Sequence, residues 1–186
     1  MKKLVMFIAV AVATVGVQAA TMSWSLTNVI GPSGDNAPVG TLVALYAAGT
    51  TYDHAAAKTG TLTPTYTSTA VASGTTGATR AGATGLGSYN AGDTASFYAV
   101  VYDSTSIAGA SNYVISDVMS ATVGSNGANI SLAFGNMKGT TTANRFLTGL
   151  NNGWTSASGG GDIPEPTSAL LLLVGGAMLA LRRKQK

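Results

Sequence analysis

The residues that could do chemistry in this 186-residue chain are few. There is one His, no Cys, and a single Glu, Glu165. A Cys–His dyad is therefore excluded, and a zinc site of several His or Cys ligands cannot be assembled. A Ser-His-Asp triad would have to use His54, whose neighbour Asp53 points to the opposite side of an extended segment. Beside Tyr52 in a polar, Ala-rich stretch, His54 reads as a solvated side chain. Paired carboxylates could serve glycoside hydrolysis. Yet Asp35, Asp53, Asp93, Asp103 and Asp117 stand mostly at turn signals such as Asn90-Ala91-Gly92-Asp93, where Asp caps the backbone. Calcium held by such Asp residues finds no EF-hand loop or nonapeptide repeat here. Gly85-Leu86-Gly87 lacks the rest of a dinucleotide fingerprint. The sequon Asn129-Ile130-Ser131 is expected inside a strand and is discounted. These residues predict no catalytic group, no cofactor and no metal. What remains is aromatic: Tyr52, Tyr66, Tyr89, Tyr113 and Trp154 could stack on sugar rings. The preferred expectation is that most of them, with Trp24, Tyr98 and Tyr102, fill the core.

The elements that must position these groups read as β. Between residues 20 and 162 the segments are short, rich in Val, Thr, Tyr and Phe, and separated by Gly, Asn, Ser and Asp. Met22, Trp24 and Leu26 alternate with Ser23, Ser25 and Thr27, as a half-buried first strand should. Residues 40–47 put Leu42, Ala44 and Tyr46 on one face and Val43 and Leu45 on the other, which suggests a central strand. The strongest apolar run, 97–102, is expected in the middle of a sheet, and 112–116 is a further strand. Segments 118–123 and 128–134 flank Asn126-Gly127, a pair suited to a type I′ turn. Centring a hairpin there pairs Val123 with Ile130, Ala121 with Leu132 and Met119 with Phe134, all on one face. From 49 to 92, Thr, Ala, Ser and Gly dominate. Weak strands are expected near 61–71, then a loop around Gly74-Thr75-Thr76-Gly77 and 82–87, with a long exposed loop as an equal alternative. Leu147, Leu150 and Trp154 would form the last edge before a flexible linker, 155–162, containing Ser158-Gly159-Gly160-Gly161.

Both ends carry targeting features. Met1-Lys2-Lys3 is a basic n-region, residues 4–17 an apolar h-region, and Val17-Gln18-Ala19 supplies small residues for signal peptidase. Cleavage is expected after Ala19, with Ala20 as the alternative. At the other end, Pro164-Glu165-Pro166 precedes Thr167, a candidate N-cap, then thirteen apolar residues, 169–181, then Arg182-Arg183-Lys184. A helix of that run is about 20 Å long, short for a hydrocarbon core of about 30 Å. The two prolines force an extended, stiff segment ahead of it, a shape that an enzyme can grip. The basic residues at both ends would face the cytoplasm.

This three-part tail resembles the PEP-CTERM sorting signal. The resemblance covers residues 163–186, with Ile163 where the family commonly has Val, and implies nothing about the fold or activity of the body. It implies recognition and processing by an exosortase-like membrane enzyme near Pro164-Glu165-Pro166, with Arg182, Arg183 and Lys184 as the basic stop. An ordinary tail anchor is the alternative.

Setting the ends aside changes the charge argument. The net +3 belongs to the termini. Between 20 and 162, Lys58, Arg80, Lys138 and Arg145 face six Asp, a balance of −2, so nucleic acid is not an expected partner. Without Cys, stability must come from an apolar core. The expected architecture is all-β, an antiparallel β-sandwich of about seven to nine strands spanning 20–154, between a signal peptide (1–19) and a single C-terminal transmembrane helix (169–181). The expected function is that of an exported, non-enzymatic envelope or surface protein. Its partners would be signal peptidase, an exosortase-like enzyme, the membrane as a transient anchor, and extracellular polysaccharide, the last from the resembled family's usual setting. The alternatives are a carbohydrate- or ligand-binding module and, third, an Asp-dependent glycan hydrolase.

Overall fold

Alternating side chains build the first strand. β1 (Ala20–Thr27) buries Ala20, Met22, Trp24 and Leu26 and turns Ser25 and Thr27 to solvent. The computed structural model describes residues 19–73, 78–140, 144–146 and 153–157. Its elements after β1 are β2 (Leu42–Ala47), α1 (His54–Lys58), β3 (Tyr66–Thr69), β4 (Val71–Ser73), β5 (Ala78–Tyr89), β6 (Thr94–Tyr102), β7 (Asn112–Ile115), β8 (Met119–Thr122), β9 (Ile130–Asn136) and β10 (Thr155–Ser156). The chain is all-β, with two sheets. The smaller has the order β4-β5-β1-β9, and the larger β10-β7-β6-β2-β3, with β8 also paired to β6.

The sheets share one apolar layer. Met22, Trp24, Leu26, Leu132 and Phe134 from the smaller sheet meet Val43, Leu45, Phe97, Ala99 and Val101 from the larger. Burying each large aliphatic or aromatic chain contributes about 1.5–3 kcal/mol. β2 and β6 lie inside the larger sheet, and both of their faces are buried, as their unbroken apolar runs require. Their second face, Ala44, Tyr46, Tyr98, Val100 and Tyr102, forms a separate cluster on the outer side with Ile115.

Four expectations need correction. First, β8 and β9 are not a hairpin. β8 pairs with β6, setting Met119 opposite Phe97 and Ala121 opposite Ala95. β9 pairs with β1, setting Ile130 opposite Met22 and Leu132 opposite Trp24. Hydroxyl pairs secure the β8 choice: Thr94 with Thr122 at 2.9 Å and Ser96 with Ser120 at 2.7 Å. Val123, Ile130, Leu132 and Phe134 are all buried. The face pattern was sound, but a pattern reports which side is buried and not which strand lies alongside. At the crossing, Gly127 N–H donates to Gly124 O at 3.0 Å, and Gly127 alone of the Asn-Gly pair has a positive φ, +65°.

Second, β1 and β9 run parallel, so the smaller sheet is mixed while the larger is antiparallel, and the described residues form ten strands where seven to nine were expected. Third, residues 82–87 lie within β5, the longest strand. Gly82 faces β1 so closely that a Cβ there would sit 2.5 Å from the Trp24 carbonyl oxygen. Gly85 and Gly87 take φ of +69° and +63° where the β1 register shifts, so these glycines make bulges and not a loop. Fourth, Thr155 and Ser156 pair with Tyr113 and Asn112, so the sheet enters the segment expected as linker. The open edge of β7 offers backbone groups that a passing chain satisfies. Residues 1–18, Leu147, Leu150, 158–161 and the tail fall outside the described residues.

Candidate functional site: an aromatic cleft over the larger sheet

β2 and β6 bring the tyrosines together. Tyr46 lies directly across from Tyr98, with the rings stacked at 5.7 Å, and Tyr102 follows four residues later on the same face, beyond Val100. After β2 the chain turns back over this face, closed by Thr50 N–H donating to Ala47 O. Asp53 then caps α1, its Oδ1 accepting from the amides of Ala55 at 2.9 Å and Ala56 at 3.2 Å. The helix is short, but Ala55, Ala56 and Ala57 favour it and the Asp cap starts it. It buries Ala57 and His54 against the sheet.

His54 is consequently not a solvated side chain; it is 8% exposed. Its ring stacks on Tyr113 at 5.2 Å and 10°. Its Nδ1 lies 3.0 Å from the Tyr52 hydroxyl. Tyr52 donates its one proton to Tyr102 Oη at 3.1 Å, so it accepts from His54, and Nδ1 carries the ring proton. Tyr102 Oη is 2.9 Å from Tyr46 Oη, which completes a four-member chain. Nε2 is left a bare lone pair, buried and without a partner.

Burial, then the Lys58 ammonium, push the His54 pKa below its usual value, against the opposing pull of Asp53 and Asp103. The imidazole is therefore held neutral. Burial drives the Tyr102 hydroxyl far above the usual phenol value, and Tyr98 up to about 12. These phenols stay protonated: Tyr102 Oη bonds Tyr46 and Tyr52, while Tyr98 Oη is buried without a partner.

Of the aromatics singled out in the sequence, Tyr52 and Tyr113 come together, 4.9 Å apart and tilted by 58°, both half-buried. They line an open cleft of about 720 Å³ with Asp53, His54, Lys58 and Ser156. Tyr66, Tyr89 and Trp154 do not join them; all three pack against the layer between the sheets. The Asp residues are largely engaged with their own neighbourhoods. Asp35 accepts from Ser33, Asp93 from the Asn90 amide, and Asp103 from Ser111 N–H and Asn112 Nδ2, each of the last two at 2.8 Å. Burial raises the Asp103 pKa, but the bonds from Asn112 and Ser111 outweigh it and hold the carboxyl below its usual value. Among the described residues no group of three or more His, Cys, Asp or Glu could hold a metal ion. Ala19 is exposed, immediately ahead of β1. Pro164, Glu165, Pro166, Arg182, Arg183 and Lys184 lie outside the described residues.

No protein-family model, curated protein or solved structure matches this chain.

Sequence reasoning missed Lys58 and the burial of His54. The signal was present: Asp53 ahead of His54-Ala55-Ala56-Ala57-Lys58 is an N-cap followed by good helix formers with a basic last turn. A helix turns His54 inward where an extended segment would have left it in water.

Proposed function

We propose that this chain is an exported, non-enzymatic envelope protein, sorted through an exosortase-like system and associated with extracellular polysaccharide. In this reading residues 1–19 are a signal peptide, the body is a β-sandwich, and 163–186 is a removable sorting signal whose helix, 169–181, anchors only for a time. The observation that carries it is the order Pro164-Glu165-Pro166, apolar run, Arg182-Arg183-Lys184. A short apolar helix is weakly held, which suits a signal meant to be cut away. Turn and capping roles for the body's Asp residues weigh against the hydrolase alternative.

Intact-mass measurement of the protein purified from its native envelope tests this. The expected mature species lacks the leader up to Ala19 and ends near Pro164. Replacing Pro164 and Pro166 by Ala should make a precursor that still carries Lys186 accumulate in the inner membrane. Wild-type protein that retains Lys186 would leave a plain tail anchor in place of the removable signal.

A second reading, a carbohydrate-binding module, is favoured by one specific observation. Tyr52 and Tyr113 converge on a cleft whose wall also holds a neutral, partly unsatisfied imidazole.

A further inference from the structure

The cleft between α1 and the β7–β10 edge contains groups that the fold alone does not need. Tyr52 and Tyr113 are half-buried while the other tyrosines of the outer cluster, Tyr46, Tyr98 and Tyr102, are fully covered. A phenol ring offers an apolar face beside a polar oxygen, which matches the C–H face and hydroxyl rim of a pyranose. At about 720 Å³ the cleft falls within the range of small-molecule sites. His54 supplies the second, independent sign. It is more than nine-tenths buried, its Nδ1 is committed to Tyr52, and its Nε2 has no partner. An unmade bond at a buried acceptor is costly, and a ligand donor would recover that cost.

We infer that this cleft is a subsite for a neutral pyranose ring of a glycan, stacked against Tyr113 and Tyr52 with one sugar hydroxyl donated to His54 Nε2. The inference rests on the carbohydrate-binding reading above. Nε2 is occluded, so seating the hydroxyl requires a wall side chain to move. The charge of the cleft selects the sugar. One carboxylate, Asp53, and one ammonium, Lys58, line it, so neither a uronic acid nor an amino sugar meets a net opposite charge. Asp53 spends Oδ1 on the helix amides and keeps Oδ2 as an acceptor for ligand hydroxyls. The neutral imidazole demands a donor, and a hydroxyl is the donor that every neutral pyranose carries.

The test is affinity electrophoresis and calorimetry of the full chain against neutral hexose oligosaccharides (malto-, cello-, laminari- and mannohexaose), with polygalacturonate as the charged comparison. Wild type should bind at least one neutral member and not the polyuronate. Tyr113→Ala should lower affinity by about tenfold or more, the scale of one lost aromatic stack. Tyr113→Phe, which keeps the ring and removes its oxygen, should lose less affinity than Tyr113→Ala and guards against a folding artefact. His54→Phe should fill the same space and lose affinity, because it keeps the stack and removes the acceptor. Neutral-glycan binding that survives Tyr113→Ala and His54→Phe would overturn the subsite while leaving the carbohydrate-binding reading intact. No binding by wild type, or binding to the polyuronate alone, would overturn both.

Discussion

Ser116 replaces a backbone acceptor with a side chain, and removing it gives a loss that can be worked out beforehand. β7 and β8 flank the same side of β6 and are joined at Ser116-Asp117-Val118. There the ladder is kept in step by one residue. Ser116 N–H donates to Ala99 O at 2.9 Å, and its Oγ accepts from Ala99 N–H at 2.8 Å. The same hydroxyl donates to Asp117 O at 2.8 Å. Both Ser116 and Ala99 are 0% exposed, so water cannot substitute. Ser116→Ala leaves the Ala99 amide unpaired, a cost of about 1–3 kcal/mol, and the added apolar character of the methyl offsets little of it. With a urea slope of roughly 1–3 kcal/mol/M, the unfolding midpoint should fall by about 1 M at unchanged slope. Ser120→Ala is the control, since its hydroxyl bonds Ser96 at an exposed position and should cost no more than about 0.5 kcal/mol. Equal midpoints for the two variants would refute the reasoning, because they would mean that the Ala99 amide finds another partner.

Gly82→Ala should destabilise by about 1–3 kcal/mol in the same assay, since its Cβ would press on the Trp24 carbonyl, which is backbone and cannot rotate away. Gly127→Val should cost about 1–3 kcal/mol for a β-branched residue at φ +65°, and a change inside experimental error would relocate the crossing turn. Leu132→Ala, at a fully buried position between the sheets, should cost about 2–5 kcal/mol, read from thermal or urea melts. Stability should also fall as pH drops below about 6.5. His54 is the sole His, and its folded pKa is depressed, so below that pH the unfolded chain takes up a proton that the folded one resists. The groups facing it are Tyr52, Tyr102, Tyr113, Asp53, Lys58 and Asp103. Most carboxylates titrate lower, so the slope between about pH 5 and 6.5 should vanish in His54→Phe.

Much of the inner layer was legible, and the reason is local. Met22, Trp24 and Leu26 alternate because one face of β1 is wet, and the runs in β2 and β6 do not alternate because both faces are dry. What the sequence could not supply was partnership. Val123 and Ile130 carry the same buried signature whether their segments pair with each other or with different strands. Glycine was ambiguous for a related reason: Gly85 and Gly87 supply positive φ for bulges as readily as for loops. The candidate cleft was half legible. Tyr52 and Tyr113 were named for their chemistry, but they are far apart in sequence, and only the return of the chain through α1 brings them into contact.

The place of β1 has a consequence in time. Its neighbours are β5 and, running parallel, β9, and the Thr21 amide bonds Asn129 across 108 positions. The earliest strand therefore waits for one of the latest. Until the chain through Asn136 is present, one edge of β1 has no strand to pair with. Contacts of such separation carry a large loop-closure cost before any return, which slows folding. A chain emerging from its N-terminus should thus stay unfolded until most of its length is available, and then close in one late step.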